Sequence, residues 1–429
     1  MKAFSKIEDG LLLLAEKIDG NKYLGSIKNA FTDFVPFIVV GSFGTLLNSL
    51  IANPKTGLAQ WIPWLENLKP AFDVLNFATI SCMTIPIVFL IAMHLAKANK
   101  IPQYTAGVLS VAAYITVVPS TVTVMVENLQ GASAGLGTSS LGAQGLFVGM
   151  LMAVLITELF NKLLKIEKIK IKMPPSVPKG IAISFNTLIP IFIILVISSV
   201  LGNLFKLWTG YYLNEWIYSV AQAPLELIFQ STFGVIFMAI LSQMFWFLGI
   251  HGGLVIEPIR SPLSASAIAA NISSLNAGGV PSMPVTRGFW TIFVVCGGAG
   301  ITLSLIFAIL KFSKREDHRM IAKMALLPGI CGIGEPIVFG LPLVLNPVFA
   351  IPFILNSGIA AGIALSAIKF GFLTCNTVDA PFGLPIFINA MLSYGWKGII
   401  VQIIILVLCT IIWIPFVLMS NKAKEKEIA

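Results

Sequence analysis

The chain contains 429 residues, of which 57% are hydrophobic and 11% are charged. Soluble domains usually carry about 25% charged residues, so this composition excludes a soluble globular fold and predicts a protein with many membrane crossings. The formal net charge of +9 is spread over the connections between apolar runs. It therefore indicates membrane orientation, and it argues against nucleic acid as a partner.

Long apolar runs recur along the chain, and many reach the roughly twenty residues that a helix needs to cross the hydrocarbon core. Basic residues are abundant before the first run and in the connections 162–179 and 311–323, whereas Glu127–Gly142 contains no Lys or Arg. The positive-inside rule then places both termini in the cytoplasm. The sequence predicts these crossings: Phe34–Ala52, Ala78–Ala96, Thr105–Val126, Ala143–Leu164, Ala182–Phe205, Leu227–Ile250, Phe289–Leu310, Pro347–Ile368 and Ile399–Met419.

This set is odd in number, and an odd number of crossings would leave the two termini on opposite sides of the membrane. The segment from His251 to Gly288 must therefore cross once more, and its weakly helical portion Leu263–Leu275, between Pro262 and Gly278, is the candidate. We expect an all-α polytopic membrane protein of about ten transmembrane helices, with re-entrant or broken segments in its C-terminal half.

The clearest internal break is the Lys-rich connection 162–179, which also contains several prolines. The runs before it are typical of ordinary helices, whereas Gly, Pro and Asn interrupt the pattern repeatedly from Gln222 onward. Interrupted backbone at membrane depth is tolerated where it lines a cavity, and transport sites are often built from it. We expect an N-terminal segment at 1–33 with an amphipathic helix around Leu11–Leu14, a scaffold half at 34–221, a substrate-binding half at 222–420 and a cytoplasmic tail at 421–429.

The segment Pro328–Pro342 contains too many Gly and Pro residues for a straight helix, and we expect it to be re-entrant. Glu335 is the one charge between Gly332 and Gly340. Ionisable groups at membrane depth cost at least ~3 kcal/mol on insertion scales, so they persist where they face a cavity and bind something. Glu335 is therefore a ligand-binding carboxylate, or one satisfied by amides of the Gly-rich turn, and the two interpretations are compatible.

His251 follows an apolar run and precedes Gly252-Gly253, where the backbone can approach a ligand closely. It is either a ligand-binding group or an imidazole that bonds a backbone carbonyl. Asp379, in a second segment rich in breakers, is either a site residue or a cap. Trp246 and Trp290 either stack on a sugar ring or anchor the chain at the membrane interface.

The sequence indicates no metal or cofactor site. The five cysteines show no CxxC spacing, and the chain contains no GxxxxGK[ST] motif, no HExxH motif and no paired carboxylates at helical spacing. We therefore expect no catalytic residue, metal or cofactor, and no independent enzymatic activity in this chain.

Three motifs of the C-terminal half occur in an order that is typical of one family. They are Trp246–Gly252, the run from Val280 through Gly297–Gly300, and Glu335–Pro342 followed by Asn346-Pro347. With these motifs the chain resembles enzyme IIC, the membrane component of the bacterial phosphotransferase system, in its lactose/cellobiose/diacetylchitobiose branch.

The resemblance implies a homodimer in the bacterial plasma membrane, with the N-terminal half at the dimer interface and the C-terminal half carrying a sugar inward by an elevator motion. A separate phosphocysteine-bearing IIB protein, supplied with phosphate by IIA, would phosphorylate the sugar on the cytoplasmic side. The family motifs assign contacts with sugar hydroxyls to His251 and Glu335, with Gly252 and Gly298 as backbone neighbours. The full set of predicted sugar-binding residues is His251, Glu335, Gly252, Trp246, Gly298, Asp379 and Asn376.

Two positions depart from the family pattern. Gly334 occupies a position that commonly holds Asn, and Val378–Pro381 replaces a Trp-Thr-x-Pro motif whose indole stacks on sugar. The stacking indole is replaced and a carboxylate is added, so the resemblance implies a disaccharide of the cellobiose, chitobiose or lactose type but does not name the sugar. The alternative function is a proton-coupled secondary sugar transporter in which Glu335 and Asp379 carry the proton.

Overall fold

The structure is a computed structural model that describes residues 20–55, 57–126, 129–171, 174 and 178–428. The predicted amphipathic helix around Leu11–Leu14 lies outside these residues. The α-helices are α1 (Lys22–Leu47), α2 (Lys69–Asn76), α3 (Thr84–Ala98), α4 (Gln103–Thr116), α5 (Thr138–Leu141), α6 (Leu146–Leu163), α7 (Lys179–Thr209), α8 (Leu213–Ile217), α9 (Ala223–Gln230), α10 (Thr232–Phe247), α11 (Gly252–Asn276), α12 (Arg287–Phe289), α13 (Thr302–Phe312), α14 (Glu316–Ile330), α15 (Glu335–Gly340), α16 (Ala350–Lys369) and α17 (Ile388–Ile428).

Short stretches of other helix types extend or join these helices. The π-helical stretches are Asn48–Ala52, Phe77–Ser81, Tyr218–Gln222 and Trp290–Val294, and the 3-10 stretches are Leu58–Gln60, Pro63–Leu68, Ala143–Gly145, Glu167–Ile169 and Ala299–Ile301.

In the described part of the chain, 7 helical stretches are long and apolar enough to cross a membrane, and the number rises to 8 if one bent pair counts as a span. The prediction of a helical polytopic membrane protein is confirmed, although these stretches are fewer than the expected ten or so. The helix α4 is short at 14 residues, and α11 carries Glu257, Arg260 and several Ser and Asn residues. Neither has the length and apolar composition of an ordinary span.

The chain divides into two compact units. One unit, the N-terminal unit, contains Asn21–Gly41 and Asp73–Leu225, and the other, the C-terminal unit, contains Ser42–Phe72 and the chain from Glu226 onward.

Three helices, α3, α4 and α6, pack on one another in the N-terminal unit. Gly107 on α4 lies under the ring of Phe89, and a Cβ at Gly149 on α6 would crowd Val88. These glycines let the helix backbones approach closely, which is how membrane helices commonly associate. In the same unit, the Lys22 ammonium contacts the Glu158 carboxylate at 2.7 Å.

The predicted crossing Thr105–Val126 is wrong in its second half. The helix α4 ends at Thr116, and residues 121–134 form an antiparallel hairpin of β1 (Thr121–Val126) and β2 (Leu129–Ala134), in which Thr121 lies opposite Ala134. Pro119 breaks the helical pattern, and the Thr-Val-Thr-Val run that follows has the β-branched composition of a strand. The apolar character of this run was therefore misread as helical.

In the C-terminal unit, α10 packs on α16 and α13 packs on α17. The predicted crossing Leu227–Ile250 is not one helix, because α9 and α10 meet at a bend of 78°. Ser231 sits at the bend and begins α10 as its N-cap, accepting a hydrogen bond from the Gly234 N–H at 3.0 Å. A serine side chain satisfies one of the free amides at a helix start, so the break is encoded locally.

Two further segments of this unit can be compared with the sequence-based predictions, and one of them differs. The helix α11 begins at Gly252 and runs through Pro258 and Pro262, so it is longer than the predicted helical portion Leu263–Leu275. The segment after α14 follows expectation, because a turn at residues 331–334 separates α14 from the short α15. Pro328–Pro342 is therefore not a straight helix.

Candidate functional site

His251 and Glu335 face each other although 84 residues separate them in the chain. The His251 Nε2 lies 3.8 Å from the Glu335 Oε1, and their side chains are 44% and 45% exposed. That separation exceeds hydrogen-bond length, so the two side chains do not hydrogen-bond to each other and each can still bond a ligand. Glu335 makes no side-chain hydrogen bond to another residue that the structure describes. An accessible acceptor and an accessible imidazole therefore converge on one small space.

The backbone at the start of α11 fixes the orientation of the His251 ring. Its Nδ1 accepts a hydrogen bond from the Leu254 N–H at 3.2 Å, which makes His251 the N-cap of α11. In a neutral imidazole, an accepting Nδ1 leaves the proton on Nε2. The Trp246 ring packs against the imidazole with 4.3 Å between ring centroids. His251 thus directs an N–H donor toward Glu335.

Glu335 is the first residue of α15, with Gly334 as its N-cap and Pro336 in the first turn. The Val338 N–H closes this turn by donating to the Gly334 carbonyl at 3.0 Å. A carboxylate is favoured at a helix start because the peptide dipoles point their positive ends there. This position eases the cost of the charge while leaving its oxygens available.

An aromatic ring lies on the same face of α15 as the carboxylate. Phe339 follows Glu335 by four residues, which places both on one side of the helix. Phe339 is 58% exposed, and its ring centroid is 6.4 Å from that of the buried Trp246. The space beside His251 and Glu335 is therefore bordered by an accessible apolar surface.

The break in the span 287–312 lies against the start of α15. Gly298 has φ +111°, and a Cβ built on it would lie 2.7 Å from the Gly334 Cα. The two backbones therefore touch at a point where a side chain would push them apart. The cluster Gly297–Gly300 thus packs closely, as small residues at membrane depth often do, and it supports the residue that precedes Glu335.

Gly252, the first residue of α11, is buried rather than facing the space beside His251. A Cβ at this position would collide with the Ser242 carbonyl on α10. The glycine allows α10 and α11 to meet at the turn that carries His251.

Asn376 and Asp379 belong to a different, buried cluster, with 2% and 1% of their surfaces exposed. The Asp379 Oδ1 accepts hydrogen bonds from the Gly288 N–H at 2.7 Å and from the Asn376 Nδ2 at 3.0 Å. The Asn376 Oδ1 accepts hydrogen bonds from two hydroxyl groups, Thr286 Oγ1 at 2.6 Å and Tyr394 Oη at 3.0 Å. In this structure the cluster ties the start of the broken span to the 374–385 segment.

Sequence reasoning missed the partners that complete these two groupings. Phe339 is within a motif, and its spacing from Glu335 could have revealed it. Thr286 and Tyr394 lie far from Asn376 in sequence, and no local pattern connects them. The fold thus divides the candidate residues into two groups. His251 and Glu335 form the accessible group, against which the buried Trp246 packs, and Asn376 and Asp379 form the buried group.

The accessible group suits a polyhydroxylated ligand. A carboxylate and an imidazole N–H can bond neighbouring hydroxyls, and an aromatic face can cover the C–H surface of a ring. Across the part of the chain that the structure describes, no three His, Cys, Asp or Glu side chains gather in a way that could hold a metal ion.

Comparison with known proteins identifies a family whose members match most of the chain. The family model described as "Phosphotransferase system, EIIC" matches residues 28–357. The oligo-beta-mannoside-specific EIIC component of the phosphotransferase system of Bacillus subtilis (strain 168) is 30% identical over 430 residues, which cover 99% of this chain and 96% of the relative. The cellobiose-specific EIIC component of Lactococcus lactis subsp. lactis (strain IL1403) is 27% identical, covering 98% of each chain.

A solved structure agrees in fold. The crystal structure of the transporter ChbC, the IIC component from the N,N'-diacetylchitobiose-specific phosphotransferase system, matches with a TM-score of 0.91 at 27% identity and covers 98% of both chains. The sequence motifs, the helical membrane fold and these matches agree with one another. This chain therefore belongs to the phosphotransferase system EIIC family.

Proposed function

We propose that this chain is the sugar permease of a phosphotransferase system and that it transports a β-linked disaccharide of the cellobiose, chitobiose or lactose type. The observation that carries the proposal is the His251–Glu335 pair, 3.8 Å apart and half-exposed, in a chain of the EIIC family. The relatives named for cellobiose, oligo-beta-mannoside and diacetylchitobiose support the sugar class.

In the proposed site, one sugar hydroxyl lies between Glu335 and His251. The carboxylate accepts the hydroxyl hydrogen while the imidazole Nε2–H donates to an oxygen of the same ring, and Phe339 covers an apolar face of the sugar. Holding one hydroxyl in a fixed direction prepares it for transfer, because positioning supplies much of the advantage in a phosphoryl transfer.

In this proposal the sugar receives its phosphoryl group from a separate IIB protein. The IIB protein is in turn supplied with phosphate by IIA. The chain would work as a homodimer with both termini in the cytoplasm, and its C-terminal unit would carry the sugar across the membrane. The division of the chain at Leu225/Glu226, near the predicted boundary at 221/222, supports separate roles for the two units.

The first test is sugar binding by the purified chain and by Glu335→Gln. A screen of β-linked disaccharides selects the ligand, and the variant then keeps the shape of the side chain but loses its charge. A charge-assisted hydrogen bond contributes about 2 kcal/mol, so the affinity should fall roughly thirtyfold. Glu316→Gln, an exposed position on α14, is the matched control and should bind as the wild type does. Unchanged affinity in Glu335→Gln would show that this carboxylate does not bind the sugar and has a structural role instead.

The second test separates group translocation from proton coupling. Membrane vesicles that contain the chain should accumulate sugar phosphate when IIA, IIB and a phosphate donor are supplied. Uptake of free sugar that follows an imposed pH gradient without these proteins would refute the phosphotransferase role and favour the secondary transporter.

A further inference from the structure

A cavity of about 430 Å³ lies in the C-terminal unit at the ends of two membrane-spanning helices. The Asn421 side chain joins these ends, because its Nδ2 donates to the Phe312 carbonyl at 3.1 Å and its Oδ1 accepts from the Lys314 N–H at 3.0 Å. The spans that end there are 287–312 and 388–421. The cavity is therefore at the depth where the bilayer meets water.

Arg315 supplies the cationic wall of this cavity. Its guanidinium donates to the two carboxylate oxygens of Asp317 at 2.6 and 3.3 Å, and its Nη1 lies 3.5 Å from the Ser420 Oγ. A guanidinium has more N–H donors than these bonds use, so it can accept an additional anionic partner. The hydrogen bond from Arg315 holds the pKa of Asp317 well below its ordinary value, so this carboxylate is charged at neutral pH.

The charge of the surrounding chain is positive, although Asp317 is acidic. Residues 311–323 contain five basic side chains and two acidic ones, Glu316 and Asp317, which leaves a formal charge of +3. The rest of the cavity lining is largely apolar, and Phe349 is packed against the buried Trp413 with 6.0 Å between ring centroids. The apolar side chains of the lining are Ile321, Leu341, Pro342, Val348 and Phe349, and His318 and Asn346 add polar groups to it.

These features match the chemistry of an anionic phospholipid. Basic pockets between helices at the membrane surface recognise phosphate-bearing headgroups. The planar guanidinium can bond two phosphate oxygens at once. The apolar lining would contact the first carbons of the acyl chains, whereas a small soluble anion would leave it uncovered.

We propose that this cavity binds the headgroup phosphate of an anionic phospholipid, with Arg315 as the phosphate ligand. The site is separate from the sugar-binding pair and does not depend on the sugar proposed above. Asp317 competes for the same guanidinium and therefore limits the affinity. The cavity also borders residues 340–342, at the end of the short helix that begins with Glu335.

The test uses the full chain in detergent and native mass spectrometry with phosphatidylglycerol or phosphatidylcholine as the probe. We expect phosphatidylglycerol to bind at least tenfold more tightly than phosphatidylcholine, and we expect Arg315→Gln to abolish that preference. Lys323→Gln is the matched control, because it removes one charge from an exposed site on α14, the helix that follows Arg315, and does not line the cavity. An equal loss in both variants would indicate diffuse attraction to the basic surface and would overturn the proposal.

A gain of binding in a second variant guards against misfolding as an explanation. Asp317→Asn removes the competing carboxylate and should raise the affinity for phosphatidylglycerol severalfold, which an unfolded protein could not do. Unchanged or weaker binding in this variant contradicts the proposal. Inorganic phosphate forms a separate arm of the experiment: if it displaces phosphatidylglycerol at equal concentration, the cavity is a site for soluble phosphate and the lipid assignment is wrong.

Discussion

At the scale of single residues, His251 combines two tasks that substitution can separate. Its Nδ1 caps α11 and its Nε2 faces Glu335. Asn places its amide oxygen near the position of Nδ1, whereas Gln places its amide nitrogen near the position of Nε2.

We therefore expect His251→Asn to keep the unfolding temperature of the wild type and to lose sugar affinity. His251→Gln should lose about 1 kcal/mol of stability with the cap and retain more of the affinity. Thermal unfolding and sugar titration of the purified variants measure the two effects. If both variants lost stability and affinity to the same extent, His251 would have a single role.

Asp379 is expected to act on stability more than on sugar binding. Asp379→Ala leaves the buried Gly288 N–H without its acceptor, which costs about 2 kcal/mol and should lower the unfolding temperature by several degrees. Asp379→Asn retains an oxygen for that hydrogen bond and should lower the unfolding temperature less. Sugar titration of the folded protein should give an affinity close to wild type in both. A large loss of affinity in Asp379→Asn without loss of stability would instead place this residue in the sugar site.

The residues of the accessible group could be predicted from the sequence because each carries a local signal. Glu335 is a charge in an apolar stretch, and His251 precedes a pair of glycines. The buried cluster could not be predicted in this way. Asn376 bonds Thr286 and Tyr394, at separations of 90 and 18 residues. Such bonds depend on how distant segments pack, and local patterns do not record that.

At the scale of structural elements, the contact between Gly298 and Gly334 links two broken segments. We expect Gly298→Ala to separate them, to displace Glu335 and to weaken sugar binding sharply. Gly332→Ala is the matched control. It also has a positive φ, +81°, and no atom lies within 4 Å of its built Cβ. Both variants carry a conformational cost of about 1 to 3 kcal/mol for a side chain at positive φ, and the cost is the larger at Gly298, whose φ of +111° and ψ of +171° are essentially restricted to glycine. Gly298→Ala also adds the collision with Gly334.

Thermal unfolding and sugar titration distinguish these two glycine variants. Equal losses of affinity would show that backbone strain alone is responsible and that the close approach at Gly334 is unimportant to the site.

Structural elements were predicted well where one sequence pattern, such as a high Gly and Pro content, indicated a single structure. They were predicted poorly where the same residues suited two structures. The breaks in Pro328–Pro342 followed from its Gly and Pro content. The hairpin at 121–134 was missed because apolar β-branched residues suit both a strand and a membrane helix. The helix α11 was predicted too short because Pro262 was taken as its boundary, whereas the helix begins at Gly252 and continues through Pro258 and Pro262.

At the scale of the whole molecule, composition predicted the membrane class and about ten crossings, of which 7 or 8 are long apolar helices in the described part of the chain. Counting apolar runs cannot distinguish a straight crossing from a bent pair such as α9 and α10, because the helix break is set by the cap at Ser231 and not by the number of apolar residues. Orientation rests on the distribution of Lys and Arg alone and stays a prediction.

Labelling of single cysteines in intact cells tests that orientation. In a background without the five native cysteines, Ser133→Cys in the hairpin should react with a membrane-impermeant maleimide. Lys323→Cys in the basic stretch should react after the cells are permeabilised. Both positions are exposed. The reverse pattern would invert the predicted topology.

The two segments that form the accessible group are very short. Trp246 lies at the end of α10 and His251 in the turn that follows it, and Glu335 and Phe339 belong to α15. If these residues bind the sugar as proposed, few substitutions would be needed to change the substrate, and exchanging these two segments between relatives would test which sugar the protein accepts.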